Sequence, residues 1–499
     1  MPAPTPISDP PPAADHRLPT IWEALIPVVL LIAMLTASVI LFGYDSSYGP
    51  NQIALILAGG VAAIVGIRLG FSWKEIRNGM VRGVSLAMGA IFILLVVGSL
   101  IGTWILAGIV PTMIAYGLQL LNPSIFLAAS CVICAVVALA TGSSWTTVST
   151  IGIALVGVAA ALDLSLGMTA GAIISGSYFG DKLSPLSDTT NLAPAMAGTD
   201  LFTHIRHMLW TTVPSLTLAL ILFTILGFTS GSEAGTPERI EGILASLNGS
   251  FNIRWYLLLV PAVVIFMVVK KVPAFPALLI GSLLGGLTAV LAQPEAVIAF
   301  AGDESLSRPM ALLKGFWKAL FTSYEATTDS AELNDLLSRG GMDSMLNTVW
   351  LIISAMMFGA AMETTKMLEV IAGKILGFAK STGSLIGATL FTSLSMNIVA
   401  SDQYIAIVVP GRMYRAEFLR RKLAPKNLSR ALEDAGTLTS PLVPWNTCGA
   451  FMASALGVAT VAYLPFAFFN LFNPVISAIY GFTGFTIEKL EEEEVAELA

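Results

Sequence analysis

Residues 175–200 read SGSYFGDKLSPLSDTTNLAPAMAGTD. This stretch places Asp181, Lys182 and Asp188 in a segment that is otherwise apolar enough to cross a membrane. An ionised carboxylate at depth in lipid is unfavourable by several kcal/mol unless it is paired or binds a cation. Pro185 and Pro194 cannot donate backbone hydrogen bonds, so they interrupt a helix and free carbonyl oxygens. The stretch therefore predicts a broken helix inside a membrane protein.

The composition of the whole chain favours the same class. Of its 499 residues, 55% are hydrophobic and 12% are charged, and the mean hydropathy is +0.80. Soluble proteins carry about 25% charged residues, so these charges are too few to cover a soluble fold. The net charge of −6 offers no basic surface for nucleic acid. The composition excludes a cytosolic enzyme and predicts an all-α polytopic membrane protein.

Apolar runs of about twenty residues, the length that crosses roughly 30 Å of hydrocarbon, recur along the chain. About ten spans plus hairpins are expected. The clearest spans lie near 21–42, 51–67, 83–101, 209–229, 252–269, 275–293, 345–362 and 463–483, with an interfacial or tilted helix at 103–121. Outside them, we expect a disordered cytoplasmic leader at 1–20, an extracytoplasmic linker at 230–250 and an acidic tail at 484–499, either disordered or a solvated helix.

The two membrane halves, 21–229 and 251–483, have similar internal patterns. The first contains a predicted hairpin at 123–162 and a broken helix at 169–198, and the second a hairpin at 384–411 and a broken helix at 434–459. Gly142 precedes Pro185 by 43 positions, and Asn397 precedes Pro441 by 44. Both prolines lie in the tripeptide SPL. The matched spacing predicts an internal duplication.

The distribution of basic residues predicts that the duplicated halves are inverted. The turn 161–168 has no Lys or Arg, whereas its counterpart 412–433 has seven. Since Lys and Arg concentrate in cytoplasmic loops, the first turn is expected outside and the second inside, with the N-terminus cytoplasmic. Inverted repeats with broken helices are typical of secondary transporters. Whether 123–162 and 384–411 are hairpins or full double spans stays open, because both options have the same sidedness.

Two clusters of oxygen-bearing side chains are candidates for a cation site, because hard cations such as Na⁺ prefer carboxylate, hydroxyl and carbonyl oxygens. The first cluster is Asp181, Ser187, Asp188, Thr189, Thr190 and Asn191, and the second is Asn397, Ser401 and Asp402. The first has an alternative interpretation as a solvated interfacial loop. Asp402 has one as a helix cap at the membrane surface.

A second set of polar residues is predicted to contact a substrate or a second ion. Its members are Ser143, Ser144, Thr146, Thr147, Ser440, Asn446, Thr447 and Lys182. A single Ser or Thr in a membrane helix more often bonds the preceding turn. Neighbouring residues on a helix point apart, so Lys182 is expected to reach Asp188 rather than Asp181. His204 and His207 are predicted on the cytoplasmic surface.

The run YFGDKLSPLSDTTNLAPAMAGTDLFTHIRHMLWTT at 178–212 resembles the signature of the NhaC family of Na⁺/H⁺ antiporters, in the ion transporter superfamily. The TGSSW, SDQY and SPLVPWNTCG segments also fit this family. The resemblance implies a bacterial inner-membrane, multi-pass antiporter. It places Asp181, Asp188, Thr189, Thr190 and Asn191 at or near the cation site. Relatives of this family exchange malate for lactate or move amino acids.

The leading hypothesis is a Na⁺(Li⁺)/H⁺ antiporter with Na⁺ bound near Asp188. When Na⁺ leaves, a proton takes its place, because a buried ionised carboxylate is unfavourable. The alternatives are an organic-anion exchanger of the malate/lactate type, an amino-acid transporter and a passive channel. The chain contains neither HExxH nor GxSxG, so an enzyme is not expected. Expected partners are Na⁺, H⁺, lipid and a second copy of the chain, without a cofactor or nucleic acid.

Overall fold

A computed structural model describes residues 16–42, 46, 48–230, 237–328, 333–334 and 337–491. Within these ranges the chain is helical, and its β pairing is one isolated bridge between Leu423 and Lys489. Nine helices of the described part are long and apolar enough to cross a membrane, or up to eleven if each of two bent pairs counts as one span. The predicted all-α polytopic membrane protein is thereby confirmed, while the inversion of its halves stays a prediction.

The first half contains ten helices in its described residues. They are α1 (Ile21–Phe42), α2 (Pro50–Arg68), α3 (Trp73–Leu106), α4 (Ile109–Leu120), α5 (Phe126–Thr141), α6 (Ser144–Thr147), which the π-helical segment Val148–Gly152 joins to α7 (Ile153–Ala161), α8 (Leu166–Leu183), α9 (Asp188–Ala197) and α10 (Leu201–Ser230). The single helix predicted at 103–121 is wrong. The chain turns at Gly108, whose φ is 76°, so this region is divided between α3 and α4.

The second half also combines long and short helices. Those of its described residues are α11 (Pro237–Ser250), α12 (Leu259–Val269), α13 (Ala274–Ala292), α14 (Pro294–Ala301), α15 (Arg308–Phe321), α16 (Leu346–Thr364), α17 (Met367–Gly377), α18 (Thr382–Val399), α19 (Gln403–Arg420), α20 (Pro425–Leu432), the π-helical segment Glu433–Thr437, α21 (Thr447–Leu456), α22 (Thr460–Tyr463) and α23 (Phe468–Thr483). The helices α11 and α12 meet at 88°.

Three predicted terminal or linking segments fall partly outside the described residues. These parts are 1–15 of the leader, 231–236 of the linker and 492–499 of the tail. The rest of the linker forms α11. The described start of the tail is extended rather than helical, since Leu490 N donates to the carbonyl of Lys422 at 2.8 Å. It lies against the C-terminal end of α19.

Glycines bring α8 directly against α5 and so fix the position of the polar stretch. A Cβ on Gly176 would lie 2.0 Å from the carbonyl oxygen of Cys131, and one on Gly180 would lie 2.4 Å from Leu139 N. Such close backbone approach is the ordinary use of small residues between membrane helices. Any larger residue at either position would push α8, with Asp181 at its end, away from α5.

Candidate functional site

Four helices begin at one cavity of about 790 Å³. The residues at or beside their N-termini that line it are Ser143 (α6), Ser187, Asp188 and Thr189 (α9), Asp402, Gln403 and Tyr404 (α19), and Thr447 and Cys448 (α21). The opposite wall is formed by α3 and the turn between α12 and α13. Helix N-termini carry unpaired N–H groups and positive partial charge, which stabilise nearby carboxylates. The cavity therefore combines acidic side chains with helix N-termini that stabilise their negative charge.

Asp181 lies near the C-terminal end of α8 and caps another helix from there. Its Oδ2 accepts hydrogen bonds from Ser144 N at 3.1 Å and from Ser144 Oγ at 2.6 Å. The residue is 8% exposed and lines the cavity. Asp181 thus joins the start of α6 to the end of α8 and contributes one carboxylate to the site.

The turn between α5 and α6 requires a glycine. Gly142 has a φ of 70°, and a Cβ there would lie 2.5 Å from Leu186 Cβ. Leu186 belongs to the break between α8 and α9, so the two breaks of the first half pack directly on each other. Ser143 follows Gly142 and caps α6 by accepting from Thr146 N at 3.1 Å.

Asp188 is the first residue of α9 and is exposed to the cavity. Its Oδ2 lies 3.5 Å from the hydroxyl of Tyr404, which begins the first turn of α19. This contact brings a carboxylate of the first half to a helix start of the second half. Among the three carboxylates that line the cavity, Asp188 is the one that faces open space.

Asp402 lines the cavity from the second half and caps α19. Its Oδ1 accepts from Tyr404 N at 2.9 Å and from Ile405 N at 3.1 Å. The helix-cap interpretation therefore describes its local geometry. The cap is only 6% exposed and lies in the cavity wall, next to the other acidic residues.

Several predicted site residues brace the breaks and do not line the cavity. Thr190 Oγ1 donates to the carbonyl of Lys182 at 3.0 Å, and Asn191 Nδ2 donates to the carbonyl of Ser187 at 2.7 Å. Thr147 Oγ1 donates to the carbonyl of Ser143 at 3.0 Å. The residues of the two candidate sets outside the cavity lining are Ser144, Thr146, Thr147, Lys182, Thr190, Asn191, Asn397, Ser401, Ser440 and Asn446.

The second half is braced by amides. Asn397 Nδ2 donates to the carbonyl of Gly436 at 2.7 Å, and Asn446 Nδ2 donates to Asn397 Oδ1 at 3.0 Å. Ser440 Oγ donates to Gln403 Oε1 at 2.7 Å, and Ser401 adopts a φ of 60° at the turn before α19. Asn397 and Ser440, whose Oγ also donates to the carbonyl of Thr437 at 2.7 Å, thereby give partners to irregular backbone that would otherwise lack them.

The predicted contact between Lys182 and Asp188 is wrong. Lys182 is fully buried, forms an ion pair with Asp434 and donates to Asn473 Oδ1 at 2.9 Å. Consecutive residues of a helix project about 100° apart, so Asp181 faces the cavity while Lys182 faces the π-helical segment 433–437. Lys182 is therefore outside the cavity that would hold a substrate.

Two buried carboxylates, Glu433 and Asp434, were missed by the sequence analysis. Both are 0% exposed. Asp434 also accepts from Thr211 Oγ1 at 3.0 Å, and its Oδ2 lies 4.0 Å from Arg430 Nε. The sequence does contain a signal for them, because the run ALEDAGTLTSPL at 431–442 places two acidic residues in an apolar stretch, as residues 175–200 do.

The predicted surface position of the two histidines near Arg206 is also wrong. His204 is 0% exposed and His207 is 5% exposed. His204 Nδ1 lies 2.8 Å from Ser429 Oγ, so α10 packs this face against α20. The prediction was wrong because it took both histidines to share the exposure of the charged Arg206. They lie on other faces of the helix.

Comparisons with known proteins match most of this chain to one group. The model of the Na⁺/H⁺ antiporter family matches residues 176–485. The Na(+)/H(+) antiporter NhaC of Alkalihalophilus pseudofirmus is 36% identical over 92% of this chain and 96% of that protein. The malate-2H(+)/Na(+)-lactate antiporter of Bacillus subtilis is 37% identical over 94% and 96%. The arginine/ornithine antiporter ArcD of Halobacterium salinarum is 35% identical over 97% and 96%.

Proposed function

Because this chain belongs to the Na⁺/H⁺ antiporter family, we propose that it is a secondary active transporter that exchanges Na⁺ or Li⁺ for H⁺. The observation that carries the proposal is the convergence of three carboxylates, Asp181, Asp188 and Asp402, on one cavity at four helix N-termini. Broken helices that meet at one site are typical of the substrate and ion sites of transporters. The names of the relatives add Na⁺ and H⁺ as the expected transported ions.

The oxygen atoms at the cavity are of the kind that a hard monovalent cation prefers as ligands. Carboxylate oxygens of Asp181 and Asp188 lie at the same cavity as the hydroxyls of Ser143, Ser187 and Thr189. Asp188 is the first choice for the exchanging carboxylate, because its oxygens are the least occupied by protein donors. A bound Na⁺ requires the ionised carboxylate, and a proton compensates its charge once Na⁺ has left. A site that crosses the membrane only when it holds one of the two ions then exchanges them.

The exchange is tested with purified protein in liposomes that contain a pH dye. Adding Na⁺ or Li⁺ alone is expected to move protons, and Asp188→Asn is expected to abolish that movement while the protein still inserts. The matched control is Asp303→Asn in the loop after α14. Hydrogen bonds from Ser305 and Lys314 lower the pKa of Asp303 to about 2, so it is an ionised carboxylate, and it does not line the cavity. Full exchange by Asp188→Asn would contradict the assignment.

A second candidate function is Na⁺-coupled exchange of small organic anions. The observation that favours it is the cavity volume of about 790 Å³, which far exceeds the space that a Na⁺ ion fills. A carboxylate substrate would be stabilised there by the N-termini of α9 and α21 and by Lys271 on the opposite wall. Repeating the liposome assay with malate, lactate or arginine separates the candidates. Proton movement that begins only when an organic solute is added would favour this second function.

The proposed setting is a bacterial inner membrane with the N-terminus in the cytoplasm. The relatives that share most of the chain are prokaryotic antiporters. The basic run 412–433 supports this orientation through the preference of Lys and Arg for cytoplasmic loops. Exposed apolar faces on the outer helices are compatible with a homodimer in the lipid.

A further inference from the structure

We propose that Glu433 is a positioning residue that orients the Thr189 hydroxyl as a cation ligand in the cavity. The proposal rests on the proposed cation exchange and adds a residue to it from outside the cavity. Thr189 lines the cavity and is 2% exposed. Its Oγ1 donates to Glu433 Oε1 at 2.9 Å. Glu433 lies on the π-helical segment 433–437, so an element of the second half controls a side chain of the first.

The direction of this hydrogen bond determines what Thr189 can offer to a cation. A hydroxyl has one proton and two lone pairs. Since Thr189 uses its proton on Glu433, its oxygen keeps a lone pair for the cavity even when the Ser187 hydroxyl donates to it. Without Glu433 the same proton would turn to another acceptor or into the cavity, where it would repel a cation.

Ser187 extends the same arrangement. Its Oγ lies 3.2 Å from Thr189 Oγ1. Because the Thr189 proton is already used, Ser187 is the donor in this contact. Both hydroxyl protons then point along a chain that ends at Glu433, and chains of this kind strengthen each member. The oxygens of Ser187 and Thr189 are thereby presented together on the cavity wall.

Glu433 can accept the Thr189 proton in either protonation state, because a carboxyl group keeps an acceptor oxygen whether or not it holds a proton. It is 0% exposed, so an isolated negative charge would be strongly unfavourable. Asp434 pairs with the buried Lys182 and lies 4.0 Å from Arg430. Two cations and two carboxylates are therefore buried together. Buried charges persist where they are matched in this way.

The experiment is a double-mutant cycle on Na⁺ affinity, measured by titration calorimetry of the purified full chain. Glu433→Met keeps the length of the side chain and removes the acceptor, and Thr189→Val removes the donor. Each is expected to weaken Na⁺ binding about tenfold, Thr189→Val because it removes the ligand and Glu433→Met because it removes the partner that orients it. The combined variant is expected to bind no more weakly than Thr189→Val alone, because the two residues act through one contact.

Conservative variants separate positioning from a general structural role. Glu433→Gln retains an acceptor oxygen and Thr189→Ser retains the donor, so both are expected to stay within about threefold of the wild type in Na⁺ affinity. In liposomes, Glu433→Met is expected to raise the half-saturating Na⁺ concentration while the maximal rate is preserved. Glu369→Gln, on the exposed side of α17, is the matched control and should change nothing.

Three results would overturn the proposal. One is an additive loss in the combined variant, since it would mean that Glu433 and Thr189 act separately. Another is wild-type Na⁺ affinity in Glu433→Met. The third is loss of proton movement in Glu433→Gln with unchanged Na⁺ affinity, which would make Glu433 a proton carrier instead. A wild type that binds Na⁺ but moves no protons would contradict the exchange function alone, because the calorimetric cycle would still decide the role of Glu433.

Discussion

At the scale of single residues, the polar side chains of the broken helices divide into two groups. Some, such as Asp188 and Asp402, line the cavity. Others, such as Thr190 and Asn191 on the same helix as Asp188, donate to backbone carbonyls at the breaks. The division follows from the need of irregular buried backbone for partners. Residue type alone therefore does not distinguish a ligand from a brace.

Gly142 gives a prediction about the turn before α6. Gly142→Ala is expected to lower the unfolding temperature and to reduce exchange. A left-handed backbone is unfavourable for alanine by about 1–3 kcal/mol, and the new Cβ would lie 2.5 Å from Leu186 Cβ. Thermal unfolding in detergent and the liposome assay measure the two effects.

The control for this prediction is Gly60→Ala in α2. A Cβ there meets nothing within 4 Å. The substitution should leave exchange unchanged and should not lower the unfolding temperature, since alanine is favoured over glycine in a helix by roughly 0.5–1 kcal/mol. Equal behaviour of the two variants would show that the turn at Gly142 tolerates a side chain.

At the scale of elements, α8 connects the cavity to a buried charged cluster. One side of its last turn presents Asp181 to the cavity, and another presents Lys182 to Asp434 on the π-helical segment 433–437. A π-helical turn widens the helix and often marks a functional position. The elements α8, α9 and this segment are joined by ion pairs and hydrogen bonds, and we expect them to move as one unit during transport.

The Lys182–Asp434 pair gives a prediction for this unit. Asp434→Asn leaves the Lys182 charge buried without its partner, and the expected loss of stability is about 3–5 kcal/mol. Replacing both residues with apolar ones, as in Lys182→Met with Asp434→Leu, is expected to recover most of that stability. Thermal unfolding of the purified variants measures both effects.

The outcome of this comparison depends on the double variant as well as the single one. An Asp434→Asn protein that unfolds at the wild-type temperature would mean that water or another group compensates Lys182. A double variant less stable than Asp434→Asn would mean that the pair contributes more than charge balance.

At the scale of the whole molecule, the basic and acidic segments predict on which side of the membrane each part of the chain lies. The acidic segment 294–343 is predicted outside and the basic segment 412–433 inside. Cys131, Cys134 and Cys448 are free and buried, so an added surface cysteine can be labelled selectively. Glu304 and Arg420 are exposed residues of the two segments.

The prediction concerns labelling by a membrane-impermeant maleimide in intact cells. Glu304→Cys is expected to react in intact cells, and Arg420→Cys only after the cells are made permeable. The wild-type chain, with its three buried cysteines, provides the background signal. The reverse pattern would contradict the proposed orientation of the second half.

The class of molecule could be predicted from local sequence alone, because membrane insertion depends on the length and apolarity of local segments. Helices at 21–42 and 50–68 begin and end within a residue of the predicted spans for this reason. The polar stretch 175–200 likewise indicated an interrupted helix, since proline and buried carboxylates are local features. The predicted helix at 103–121 was wrong because a turn at Gly108 leaves hydropathy almost unchanged.

The contacts between polar residues of different helices depend on the packing of the folded chain. Lys182 lies 252 positions from Asp434, and Thr189 lies 244 positions from Glu433, yet each pair is in direct contact. Local patterns cannot predict such contacts, because the direction of a side chain depends on how its helix is rotated against distant neighbours. Composition and motif placed the chain among membrane antiporters. The packing of one half against the other determines which carboxylates line the cavity and which are buried outside it.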